Sequence, residues 1–92
     1  MSLPLDEYRV KLIHKILFAG SQDEVKRYVD AAMKAFEMNK INGYVIARFV
    51  DKTIHELELF SPMKEDSQQW SNILMAKVLF HRLRQKKNTI KK

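Results

Sequence analysis

Apolar residues recur along this chain at three- and four-residue steps in four separate stretches, the spacing that lines one face of an α-helix. In the first stretch Leu5, Tyr8, Leu12, Ile13, Ile16 and Leu17 keep that spacing and predict a helix over about 3–19. Pro4 suits its first turn, where a missing N–H is no loss. Gly20 is expected to end the helix by taking the left-handed conformation that glycine tolerates. The second predicted helix, 21–39, has the clearest start. Ser21 and Glu24 are spaced as a capping box, in which the hydroxyl accepts from the N–H three residues on and the carboxylate reaches back. Val25, Tyr28, Val29, Ala32, Met33 and Phe36 line one face, and Asp23, Lys26, Arg27, Asp30, Lys34 and Glu37 the other.

The third stretch, 43–60, admits two readings. Tyr44, Val45, Ile46, Phe49, Val50, Thr53 and Ile54 are β-branched or aromatic and permit a hairpin turning at Asp51-Lys52-Thr53. Its polar residues favour a helix. Arg48, Asp51, Lys52, His55 and Glu56 form a continuous helical stripe opposite Ile46, Val50, Ile54 and Leu57. Two faces agreeing on one period outweigh propensity, which is a weak prior. Ser61-Pro62 then breaks the chain, because the residue before proline avoids the helical region.

A fourth helix follows over about 66–87, led in by Lys64 to Ser67, with Glu65 and Asp66 favouring its positive end. Trp70, Ile73, Leu74, Ala76, Phe80 and Leu83 make its main apolar stripe. Short connections between four amphipathic helices predict an all-α, single-domain, antiparallel four-helix bundle over 1–87, with 88–92 as a frayed basic C-terminal tail. The chain has only two Gly and two Pro, too few for the many turns of an all-β domain.

The fourth helix carries more apolar surface than one stripe needs. Met75, Val78 and Leu79 lie outside the main stripe, so Leu74 to Phe80 is apolar nearly all round except at Lys77. A helix apolar all round is buried all round. Either it sits deep in the bundle, or Met75, Val78 and Leu79 form the seam of a homodimer. The second reading has an energetic motive. In a chain this short, core burial and conformational entropy nearly cancel, and surface shared with a second copy adds to the favourable side.

Charge adds a second feature at the same end. The net charge is +6, and residues 82–92 hold six of the 17 Lys and Arg and none of the acids, leaving 11 cations against 11 carboxylates elsewhere. Arg82, Arg84, Lys86, Lys87, Lys91 and Lys92 are therefore the candidate contacts for an anion or partner. The leading account is structural, since cations in the last turns of a helix gain about 0.3–1 kcal/mol each from its negative end. The functional alternatives are an acidic protein and, as runner-up, nucleic acid bound weakly and without sequence preference. Six phosphate contacts would give a log–log salt slope of roughly −5. A short basic amphipathic end is marginal as a membrane anchor on its own.

The motifs of catalysis and metal binding are missing. Lys11, Lys52 and Val78 stand three residues before His14, His55 and His81, so there is no Glu-x-x-His pair. His55-Glu56 begins like a zinc-protease helix, but Leu59 stands where the second histidine belongs. Gly20 and Gly43 are isolated and make no phosphate loop, and no Gly-x-Ser-x-Gly elbow occurs. Glu56 and Glu58 are two apart on a helix and face different ways. The polar face of the third helix sets Asp51, Glu56 and Glu58 against Arg48 and Lys52, which argues against a DNA-reading helix. Trp70, Tyr8, Tyr28 and Tyr44 are not interleaved with a basic patch, as stacking on nucleotides requires. No enzyme activity, metal or cofactor is expected. With no cysteine, no disulfide forms. The longest apolar runs, such as Tyr44 to Ala47, are four residues, whereas a membrane span takes about twenty. Met1 to Tyr8 lacks the basic and apolar regions of a signal peptide. The expectation is a cytoplasmic, non-enzymatic helical interaction or regulatory module.

Overall fold

The computed structural model describes residues 5–90, with side-chain surroundings to Arg84. Four helices account for most of them: α1 Leu5–Leu17, α2 Gln22–Met38, α3 Gly43–Leu57 and α4 Ser67–Ile90. No strand occurs among the described residues, and the β-branched third stretch is helical. Val50, Thr53, Ile54 and Leu57 are buried there, while Arg48, Asp51, Lys52 and His55 are exposed. Burial along one face overrides the β-preference of its residues.

One core joins the four helices. Phe36, Phe80, Ile16, Leu57 and Ile73 are its largest fully buried apolar side chains. Phe36 meets Phe49 edge-on at 4.8 Å between centroids, and Tyr8 closes on both rings at 5.6 and 6.2 Å, an arrangement that aligns ring edges with ring faces. Helix α4 packs against each of the other three, and α1 does the same. The consecutive helices α2 and α3 lean chiefly on α1 and α4 rather than on each other. The contacts are those of a four-helix bundle.

The ends of the helices explain the local boundaries. Ser21 caps α2 by accepting from the Glu24 N–H at 3.2 Å. Glu24 in turn accepts from the Gly20 N–H at 2.7 Å, one residue further back than a regular capping box. Gly20 does not take the left-handed conformation expected of it, and α1 stops earlier, at Leu17. The reason is that the last carbonyls of α1 have other partners. Phe18 and Ala19 donate back to His14 and Ile16, and the Asn72 side chain of α4 donates to the carbonyls of Leu17 and Ala19.

Among the described residues the left-handed one is Lys40, at φ 54°, just after α2. Its N–H donates to the Glu37 carbonyl at 3.0 Å, and that of Ile41 to the Phe36 carbonyl at 2.9 Å, which is the Schellman closure. Asn42 caps α3 by accepting from the Tyr44 N–H at 2.7 Å. A second capping box opens α4. Asp66 accepts from the Gln69 N–H at 2.8 Å, and the Gln69 side chain accepts from the Asp66 N–H at 3.3 Å. Helix α3 ends at Leu57 rather than 60, and α4 runs past 87 to Ile90. The expected helix start at Leu3 and Pro4, and Lys91 and Lys92, lie outside the described residues.

Candidate functional site

Helix α4 turns one side inward and leaves another apolar side outward. Asn72, Ile73, Ala76 and Phe80 are buried, and Met75, Leu79 and Leu83 pack partly against the core. Leu74, expected in the inward stripe, is 43% exposed, and Val78 is 46% exposed. Of the proposed seam residues, Met75 and Leu79 therefore belong to the flanks of the core, and Val78 stands on the surface. A 3.6-residue turn explains the shift, because Leu74 and Val78 follow one another along a row inclined to the helix axis, opposite Ala76 and Phe80.

That row is the surface of interest. At four-residue steps it reads Asp66, Trp70, Leu74, Val78 and Arg82. Two open grooves run along it and meet at Leu74. The first, of about 380 Å³, is lined by Pro62, Glu65, Asp66, Trp70, Ser71 and Leu74, with Gln22 and Ser67. The second, of about 560 Å³, is lined by Glu58, Leu74, Lys77, Val78, His81 and Arg82. Trp70 is half-buried, and the Lys77 ammonium lies 5.7 Å from its ring centroid, in the geometry of a cation–π contact. Leu59, 76% exposed, leaves the bundle in the turn after α3. The row is acidic at its N-terminal end and basic at its C-terminal end, with three apolar side chains between.

A polar groove of about 750 Å³ lies beside it, lined from α1, α3 and α4. Arg9 spans it, donating to Asp6 at 2.8 Å and pairing with Glu56 at 3.2 Å, with only 12% of its side chain exposed. The hydrogen bond to Asp6 and the pairing with Glu56 hold the guanidinium pKa above its ordinary value, against the effect of burial. The same hydrogen bond, with help from Lys52, draws the Asp6 carboxyl below its usual range. Nearby burial raises the Tyr8 phenol. Arg84 forms a 2.8 Å ion pair with Asp51. Both arginines of this groove are thus engaged with its carboxylates Asp6, Asp51 and Glu56. His55, His81 and Glu58 also line it, but no group of three histidine or acid side chains among the described residues is placed to hold a metal ion.

The basic end separates under this geometry. Arg84 is tied to Asp51, while Arg82 is exposed at the rim of the apolar row. Lys86 and Lys87 lie on α4 by backbone, and their side chains are outside the described set, as are Lys91 and Lys92 altogether. No helix among the described residues is long and apolar enough to cross a membrane.

Two features were missed in the sequence. One is Asn72, a fully buried polar residue at the head of an apolar run, whose amide donates to carbonyls remote in sequence. The other is the Asp66-x-x-Gln69 box, which the spacing of a capping residue before an apolar run could have revealed. Compared with known proteins, the chain matches no family model, no curated protein and no solved structure.

Proposed function

We propose that the chain is a non-enzymatic interaction module of the cytoplasm that works through the outward row of α4. The observation that carries this reading is the exposure of Leu74 and Val78, next to one another and beside the half-buried Trp70, on a helix whose opposite side is buried in the core. Single exposed apolar residues are ordinary on a soluble protein, whereas a continuous row along two grooves is the anatomy of an interface. The charge at its ends adds orientation rather than bulk affinity. The polar groove supports the reading by contrast, because both of its arginines, Arg9 and Arg84, already have in-chain partners.

A photo-crosslinking side chain placed at position 78 tests this in intact cells. Irradiation is expected to yield one or a few discrete adducts, and these are lost when Leu74→Lys is added. If irradiation yields only the uncrosslinked chain, the row is not an interface.

A further inference from the structure

We infer that the occupant of this row is a second copy of the same chain, bound antiparallel about a two-fold axis at Leu74. The inference rests on the row being an interface and names what covers it. The row Asp66, Trp70, Leu74, Val78, Arg82 has Leu74 at its centre and opposite charges at equal distances from it. Reversing its direction therefore exchanges an acid for a base and one apolar group for another. In a two-fold pair Leu74 meets Leu74, Trp70 meets Val78 twice, and Asp66 approaches Arg82 twice.

No other simple occupant meets both ends. A parallel copy opposes like charges at each end. An acidic partner suits Arg82 and Lys77 but is repelled by Glu65 and Asp66 and by Glu58 beside Arg82, and a basic partner is repelled by Arg82 and Lys77. The i, i+4 rows of two such helices interdigitate at a crossing angle of about 50°. Antiparallel crossing also sets the positive end of each α4 toward the negative end of the other. The contact is narrow, one helix face with its rims, so self-association is expected on the order of micromolar rather than nanomolar.

The test is sedimentation equilibrium of the full chain at low salt, across roughly 1–500 µM, since mass action sets the dimer fraction. The wild type is expected to approach twice its monomer mass, and Leu74→Lys to stay monomeric. Arg82→Glu is expected to weaken association at least tenfold, because it sets an acid against Asp66. The decisive comparison uses Asp66→Asn, which removes the charge and retains a good helix cap. It is expected to weaken the wild-type dimer several-fold and to strengthen the Arg82→Glu dimer, a change of sign that lost folding stability cannot produce. A wild type that remains monomeric throughout overturns the inference, and so does a dimer indifferent to Leu74→Lys or Arg82→Glu. The crosslink at position 78 keeps the two claims apart. An adduct of twice the chain mass supports the second copy. Adducts only of other masses overturn the second copy and leave the interface standing, and no adduct removes both.

Discussion

Asn72 is where one side chain does most to join two elements, and replacing it has a calculable effect. Its amide group donates to the carbonyls of Ala19 at 2.8 Å and Leu17 at 3.3 Å, closing α1 from α4, while its oxygen accepts from Gln68 at 3.0 Å. The residue is fully buried. Asn72→Asp keeps the shape, removes both donated bonds and sets a carboxylate against two carbonyl oxygens. The loss of partners costs about 1–3 kcal/mol for a buried polar group. The charge adds more. A buried carboxyl facing acceptors takes up a proton, which lets its O–H donate to one of the two carbonyls, and holding it neutral at about pH 7 against an unfolded pKa near 3.9 costs about 4 kcal/mol, at 1.36 kcal/mol per unit. At about pH 4 the unfolded carboxyl is half protonated, and that cost falls to a few tenths of a kcal/mol. A raised folded pKa means stability present below the unfolded pKa and lost as pH rises. The deficit of the variant against wild type should therefore shrink by about 3–4 kcal/mol between these two pH values. Urea unfolding followed by circular dichroism measures it. Asn72→Leu serves as the pH-independent companion, with a deficit of about 1–3 kcal/mol at both values and a readable transition if the aspartate variant does not fold near neutrality. A deficit for Asn72→Asp below about 0.5 kcal/mol, or one equal at both pH values, would refute the role assigned to the amide.

Four further outcomes follow from the helix ends, the polar groove and the aromatic contacts of Tyr8. Lys40→Gly should stabilise the fold by about 0.5–1 kcal/mol, read as a rise in Tm, because the left-handed φ of 54° costs lysine more than glycine; a fall in Tm would contradict it. Ser21→Ala should cost about 0.5–2 kcal/mol in urea unfolding by removing the hydroxyl that accepts from Glu24. Asp6 has a depressed carboxyl pKa, so its contribution is present above the unfolded value of 3.8 and is lost as pH falls through the folded one; Asp6→Asn should flatten the acid limb of the stability profile. Tyr8 is displaced the other way by burial, so its contribution is lost above about pH 10, and Tyr8→Phe should flatten the alkaline limb in the same titration.

The helical pattern was readable wherever both faces of an element spoke. In α2 the apolar set from Val25 to Phe36 is the set that packs inward, and Ser21 caps it as its spacing predicts. In α3 the polar stripe decided against a hairpin, and that stripe is the exposed face. The period was less informative in α4, where apolar residues occupy adjacent rows. Leu74 and Met75 are both apolar, and only the positions of the other three helices decide which turns inward. The period assigned Leu74 to the core and Met75 to a seam, whereas Leu74 is exposed and Met75 is partly buried against the core. Lys40 and Asn72 lay beyond local reading for different reasons. A lysine carries no signal of a left-handed backbone, and Asn72 takes its role from carbonyls 53 and 55 positions away.

Asn72 and Leu74 are two residues apart on one helix and point to different worlds, and this bears on the surplus charge at the C-terminal end. The inward row fixes how α4 is rotated, since Asn72 reaches the end of α1 only in one orientation. That rotation in turn decides which cations face the apolar row and which face α3. Arg84 is carried to Asp51 and spends its charge within the bundle, whereas Arg82, two residues earlier, is carried to the rim beside Val78. A polyanion would draw on all the cations of such an end alike, with little regard to which side of the helix each occupies. An oriented protein contact depends on Arg82 and scarcely on Arg84. The separation built by helix rotation thus turns a question of net charge into one of position, and Arg82→Glu against Arg84→Glu is the comparison in which the two kinds of partner give different answers.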